Sequence, residues 1–331
     1  MPTSSTLLRA YLGIDVAKLK LDVVLLLEDR HVHHIFANSE EGFAALHTWI
    51  QEHGTFELSI CLESTGSYSD AIVRFLQTHG YVVSLLNPAV LVSYRKTKNM
   101  RRKTDKVDAY LLALYGKDEQ PSAWIPISDE VMRLRSLLAY RDDLVRTSVQ
   151  ERNRLKAGRL DASLIKLITD HVNWLSERQK GVEQTIKQLL ENSDELKTPW
   201  LRLQTIPGFG GYAAASFIAH VGAIERFPKV GAVVSLAGLS VTQFSSGSSV
   251  YHKGHIDRHG RQPLRSLLYL CTLAALRSDA ALRAWAERLQ QRGKPKKIVL
   301  VAAMRKLLHI AYGVWKNDKD YNPTVAFALA V

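Results

Sequence analysis

Two aspartates three residues apart open an apolar helix in the stretch RRKTDKVDAYLLALYG, which begins at Arg101. On a helix, Asp105 and Asp108 at i and i+3 share one face. Carboxylates that close repel each other unless positive charge lies between them, from a bound cation or from nearby Arg and Lys. Two more acids stand in apolar, strand-like runs: Asp15 in GIDVA and Glu63 in ICLEST. A carboxylate buried in a sheet is costly unless it is paired or metal-bound. Four oxygen ligands on rigid elements suit a hard divalent cation, Mg2+ or Mn2+. Two such ions can clamp the attacking and leaving oxygens of a phosphodiester. Arg101, Arg102 and Lys103, directly before Asp105, are then placed to approach phosphates. Asp22, Asp70 and Glu57 read as solvated and stay outside the set.

A second chemistry-bearing stretch is QFSSGSSVYHKG, with four serines around Gly247. A serine hydroxyl delivered to a phosphate could form a phosphoserine ester that conserves the bond energy for rejoining. Composition alone reads this segment, SVTQFSSGSSVYHKGHIDRHGRQ, as a loop. His252, Lys253 and His255 beside it read as solvated or DNA-contacting side chains.

These residues need a frame. YLGIDVA, LDVVLLLE and HVHHIFAN read as three strands joined by tight turns. SEEGFAALHTWIQEHG follows as a helix capped by Ser39 and stopped at Gly54. FELSICLESTG is a fourth strand, SYSDAIVRFLQTHG a second helix, and YVVSLLNPA a fifth strand. A basic connector then leads into the helix of Asp105, giving βββαβαβα. In a ribonuclease H-like sheet of this order the first and fourth strands are neighbours. Asp15 and Glu63 then project at one end, and the late helix brings its acids to the same place. From Ser128 the texture turns long, charged and helical, with a break near 158–162 that allows an antiparallel hairpin or coiled coil, or two helices of a bundle. Beyond Thr198-Pro199, IPGFG is a tight turn before a small-residue helix. Gly208, Gly210 and Ala213 fit a dinucleotide-binding spacing, but Pro207 and the missing βαβ context argue against it. A helix–hairpin–helix turn fits better. Two Arg/Lys-studded helices close the chain.

The 331 residues carry a formal charge of +12, with a pI near 9.6. Residues 91–110 hold seven basic and two acidic residues, and 251–310 hold thirteen basic and three acidic. The remainder is slightly acidic, so the excess is confined to two segments, as expected for a nucleic-acid partner rather than for a solubility-tuned surface. Arg261, Arg265, Lys296, Lys297 and Arg305 stand out as phosphate-contacting candidates, with Lys253 beside the serines. No apolar run approaches the ~18 residues of a membrane span, and the N-terminal stretch lacks the long apolar core of a signal peptide. A cytoplasmic protein without membrane partner is expected. Cys61 and Cys271 fit no metal or redox spacing and read as buried small hydrophobes.

GIDVAK, the LEST-G segment, LLNPA, KTDKVDA, IPGFG, LAGL and SSGSSV occur in this order. Together they resemble the insertion-sequence 110 family of DEDD transposases, the bridge-RNA-guided recombinases. The resemblance covers nearly the whole chain. It implies an α/β plus α architecture: a RuvC-like, RNase H-fold metal domain over 1–127, a coiled-coil helical hairpin over 128–198, and a mostly helical transposase domain over 199–331. It carries the acidic tetrad onto Asp15, Glu63, Asp105 and Asp108, with Mg2+ or Mn2+ as cofactor, and the nucleophile onto Ser246, with Ser245 as its adjacent alternative. It further implies donor and target DNA, a structured guide RNA, and a tetramer built as a dimer of dimers. The residues alone also admit a metal-dependent, structure-selective nuclease that uses water, and a non-catalytic nucleic-acid-binding protein.

Overall fold

The computed structural model describes residues 9–328 except 29, 55–56, 64–67, 101, 103, 159, 247–249 and 257–259, and omits the side chains of 89, 242–246 and 250–254. Arg101 and Lys103 therefore lie outside the described residues, as do the side chains of Ser245, Ser246 and Lys253. The chain divides into two compact units, Met1–Pro126 and Ile127–Val331.

The first unit starts with β1 (Arg9–Val16), β2 (Lys20–Leu26) and β3 (His31–Ala37). It continues with α1 (Glu40–Glu52), β4 (Glu57–Glu63), α2 (Asp70–Thr78), β5 (Val82–Leu86), α3 (Pro88–Thr97) and α4 (Asp105–Glu119). The five strands order as β3-β2-β1-β4-β5. β1, β2 and β3 pair antiparallel, whereas β1–β4 and β4–β5 are parallel. β1 and β4 are thus neighbours, as the sequence reading of a ribonuclease H-like sheet expects. One face packs Leu12, Ile14, Leu21, Val23, Ile60 and Leu62 against Phe43, Leu46 and Ile50 of α1 and Ile72 and Leu76 of α2. Each such side chain, fully buried, contributes ~1.5–3 kcal/mol. The other face receives α4. The expected basic connector contains α3, a helix that Pro88 can start because proline is preformed for a first turn. Leu91 and Tyr94 of α3 are buried with Leu111 and Leu112 of α4.

Gly13 sets how closely α4 approaches. A Cβ there would lie 1.9 Å from the Ala109 carbonyl oxygen and 2.4 Å from the Ala113 nitrogen. Farther along the helix, a Cβ on Gly116 would meet Cys61 Sγ at 2.9 Å. Ala109, Ala113 and Gly116 thus form a small-residue stripe that lets the helix lie on the backbones of β1 and β4.

The second unit begins with α5 (Asp129–Lys156) and α6 (Ala162–Asn192). They run antiparallel: Arg141 Nε donates to Glu183 Oε1 at 3.0 Å, His171 Nδ1 lies 3.7 Å from Glu151 Oε1, and Ser193 Oγ pairs with Glu130. Leu134, Leu138, Ile186 and Leu190 belong to the core of this unit. Leu144, Ile168 and Leu175 are buried outside that cluster. Next come α7 (Asp194–Gln204), α8 (Gly211–Val221), a 3-10 turn (Ile224–Arg226) and α9 (Val230–Leu236). Strands β6 (Val241–Ser246) and β7 (Val250–Ile256) precede α10 (Gln262–Ser278), α11 (Ala280–Gln291), α12 (Lys296–Lys316) and α13 (Pro323–Phe327). The IPGFG turn, expected as a tight turn before a small-residue helix, joins α7 to α8, and Gly208 takes φ +90° there.

Two expectations for this unit need correcting. The serine-rich segment is an antiparallel hairpin, with Ser246 opposite Val250 and an irregularity between Thr242 and Phe244. Valine, threonine, phenylalanine and tyrosine favour strands, and this signal was hidden by the serine content. A further helix, α11, stands between the two basic ones, N-capped by Asp279, whose side chain accepts from the amides of Ala281 and Leu282. α12 has the length and hydropathy to cross a membrane. Its apolar face is occupied, with Val299, Ala303, Leu307, Leu308 and Ala311 buried in the core. Cys61 and Cys271 are buried and free, as expected.

Candidate active site

Strand register does the first part of the work. β1 and β4 pair in parallel with Gly13 beside Cys61 and Ile14 beside Leu62. Leu12, Ile14, Ile60 and Leu62 take the α1/α2 face. Side chains alternate along a strand, so Gly13 and Asp15, like Cys61 and Glu63, belong to the α4 face. Asp15 and Glu63 thus end adjacent strands on one side of the sheet.

α4 does the second part. Thr104 caps it by accepting from the Val107 amide, which places Asp105 and Asp108 in the first turn. Carboxylates are favoured there by the helix dipole, so an N-terminal position explains two acids without invoking function. It does not explain their surroundings. Asp108 is only 8% exposed. The Asp15 carboxyl is pushed up to about 6, first by burial and then by the negative charges of Asp108, Asp105, Glu63 and Asp22. The other three acids singled out in the sequence therefore all lie within reach of Asp15.

Asp22 is a fifth member that the sequence reading left out as solvated. It is 4% exposed and sits directly across the strand pair from Asp15. The turn between β1 and β2 closes with the Ala17 amide donating to the Lys20 carbonyl at 2.9 Å. Counting outward from that turn pairs residue 15 with residue 22, a signal available in the sequence once the turn is centred on Lys18-Leu19. Two cations, Lys20 and Arg95, answer these acids, and the His33 ring adds a further contact. Lys20 Nζ lies 2.7 Å from Asp105 Oδ2 and 3.0 Å from Asp22 Oδ2, and His33 Nε2 lies 3.0 Å from Asp22 Oδ1. Arg95 of α3 pairs with Asp108, and its Nη1 donates to the Arg102 carbonyl at 2.8 Å.

The donor set suits a hard divalent cation: the oxygens are all carboxylate, and Asp15 is both buried and surrounded by other acids. As the side chains stand, no three described His, Cys, Asp or Glu residues gather closely enough to hold an ion. Asp105 and Asp108 are turned instead to Lys20 and Arg95. The acids converge with those two pairs closed.

In the second unit, Arg261 Nη1 donates to the His220 carbonyl at 2.6 Å, and burial lowers its pKa. Arg265 Nη1 donates to the Ala237 carbonyl at 3.2 Å. Lys296, Lys297 and Arg305 are exposed on α12, and Arg102 is exposed ahead of α4. Arg135, not singled out in the sequence, donates to the Ala219 carbonyl. It joins Arg261, His220, Asp142 and Ser216 around a cavity of about 500 Å³.

Comparison with known proteins adds independent observations. A family model described as "Transposase", of the DEDD type of IS110, matches residues 12–163, and one described as "Transposase IS116/IS110/IS902 family" matches residues 201–287. The pilin gene-inverting protein of Moraxella bovis is 32% identical over 96% of this chain and 99% of its own length. An uncharacterized 43.6 kDa protein of insertion element IS110 from Streptomyces coelicolor is 27% identical over 50% of this chain and 39% of its own. Among solved structures, T. thermophilus RuvC in complex with a Holliday junction substrate matches 35% of this chain and 99% of its own, at 13% identity and a TM-score of 0.26. With both family models matching in order and a relative aligned from end to end, this chain belongs to the IS110 family of DEDD transposases, enzymes of DNA recombination.

Proposed function

We propose that the protein is an RNA-guided recombinase of an insertion sequence. It would cut and rejoin DNA with a serine nucleophile in the second unit and a divalent-metal site built from Asp15, Glu63, Asp105 and Asp108 in the first. The observation that carries the reading is the convergence of four carboxylates, from two adjacent strands and the helix that Gly13 admits, with Asp15 raised first by burial and then by the charges of the other three and of Asp22.

The bound cation, Mg2+ or Mn2+, would offset charge building on the phosphate. Ser246 Oγ would attack phosphorus, forming an Oγ–P bond while the P–O3′ bond breaks. The leaving 3′-oxygen takes up a proton, and the serine hydroxyl proton passes to solvent. The resulting 5′-phosphoserine keeps the bond energy. A 3′-hydroxyl from the other DNA then attacks phosphorus and releases the serine, joining exchanged strands. Top-strand exchange by this route leaves a Holliday-type junction. A DNA-inverting relative, by its printed name, supports strand exchange rather than simple cleavage.

Arg102, Arg261, Arg265, Lys296, Lys297 and Arg305 would hold phosphates, together with Arg101, Lys103 and Lys253. Family resemblance is the support for the remaining parts: a structured guide RNA paired to donor and target DNA, a tetramer in which the acidic site and the serine come from different subunits, the helical hairpin as a coiled-coil arm, and cytoplasmic residence.

Ser246→Ala tests the reading. Strand exchange and any covalent protein–DNA adduct should vanish while RNA binding persists, with Ser245→Ala as the neighbouring control. Undiminished exchange in Ser246→Ala rejects the serine's role. Free 5′-phosphate ends without adduct, on a denaturing gel of the wild type, would favour water-using metal-dependent cleavage, for which the acid set suffices.

A further inference from the structure

β2 begins with a lysine and an aspartate two residues apart, and their contacts form a chain that the transposase reading does not use. His33 Nε2 lies 3.0 Å from Asp22 Oδ1. Asp22 Oδ2 lies 3.0 Å from Lys20 Nζ, and the same ammonium lies 2.7 Å from Asp105 Oδ2. Asp22 is buried and faces Asp15 across the strand pair. Like charges directly opposite on paired strands destabilise a sheet, so a cation at this corner has a physical cause. Lys20 meets that need twice, because its ammonium carries three donors and no preferred plane.

We infer that Lys20 is the resident cation of the acidic site: it holds Asp105 in the metal-free protein, and a divalent ion competes with its ammonium for that carboxylate. The inference rests on the proposed reading of the acids as metal ligands. Two features favour competition over a permanent bridge. The Lys20 and Asp105 side chains are 44% and 54% exposed, and ion pairs at such exposure are weak. The Asp22 end is different: its carboxylate is 5% exposed and also held by His33. Lys20 can thus give up Asp105 while staying anchored to Asp22. Its part is to position Asp105, not to react.

Calorimetric titration of the full chain with MnCl2 tests this. Lys20→Met should bind Mn2+ about tenfold more tightly than wild type, the scale on which one neighbouring charge moves an equilibrium. Lys20→Arg, which keeps a cation, should stay close to wild type. The metal-free unfolding midpoint of Lys20→Met should fall, and Mn2+ should close the gap. A lysine of purely structural importance would lower the midpoint with or without Mn2+ and leave affinity unchanged, which overturns the inference while the metal reading stands. Mn2+ binding to neither wild type nor Lys20→Met overturns both. Lysine acetylation of the wild type, followed by mass spectrometry, reads the same event without a variant. Mg2+ should raise labelling of Lys20 relative to the other lysines, and labelling unchanged by Mg2+ overturns the competition.

Discussion

In the sheet unit, acids from β1, β2, β4 and α4 crowd one corner and are answered by Lys20 and Arg95 of the same unit. In the helical unit, Arg261 and Arg265 rest their guanidinium groups on the carbonyls of His220 and Ala237. A carboxylate partner cancels a charge, whereas a carbonyl is only a dipole and leaves the positive charge to act on its surroundings. In the proposed reading, a divalent cation claims the first arrangement and a phosphate the second. Composition shows the same split, since most of the basic excess lies in 251–310.

Substitutions can test this contrast at both ends. Asp108→Asn leaves Arg95 facing an amide and removes one of the converging acids, so strand cleavage should fall by roughly 10²–10³-fold in a turnover assay with Mg2+. Gly13→Val attacks the frame instead of the charge. With the Ala109 carbonyl 1.9 Å from where a Cβ would sit, α4 must shift, and chemical denaturation should show a loss of about 3 kcal/mol.

A pH series isolates the stored negative charge. The Asp15 carboxyl is raised from an ordinary 3.8 to about 6, so folding disfavours its ionised form. The metal-free protein therefore loses this contribution to stability as pH rises from below 4 through 6. A divalent ion prefers the ionised carboxylate. Its stabilising shift in unfolding temperature should be full above pH 7 and shrink as pH falls through about 6.

On the basic side, Arg261→Ala or Arg265→Ala should weaken DNA binding at all sequences. Each should reduce the slope of log affinity against log salt by about 1 if one phosphate contact is lost, read by fluorescence anisotropy across a salt series. The smallest effect is expected at Gly181, inside α6, where a Cβ would meet nothing within 4 Å. Gly181→Ala should stabilise the protein by about 0.5–1 kcal/mol, the opposite sign to Gly13→Val.

Much of this frame could be read from residues alone because strands and helices announce themselves through periodicity. The apolar runs around Asp15 and Glu63 and the Thr104 cap before Asp105 are local signals, and the observed elements follow them. Asp22 escaped because its burial depends on its partner strand. LDVVLLL is apolar on both faces, so only the register across the turn reveals that the aspartate points toward Asp15. α3 escaped because the basic residues of its last turn outweighed Leu91 and Tyr94 in a charge-based reading. The β6–β7 hairpin escaped because serine is read as a loop former.

By itself the sequence determined the acid types, their spacing, the helix start that carries two of them, and the confinement of positive charge. Those are properties of neighbours along the chain, set by propensity and local capping. Only the tertiary structure decided which acids meet, that Asp22 joins them, and that Lys20 and Arg95 hold two of them. Lys20 and Asp105 alone lie 85 positions apart, and such pairings exist only once strand register and the glycine-permitted approach of α4 bring the separate pieces to one corner of the sheet.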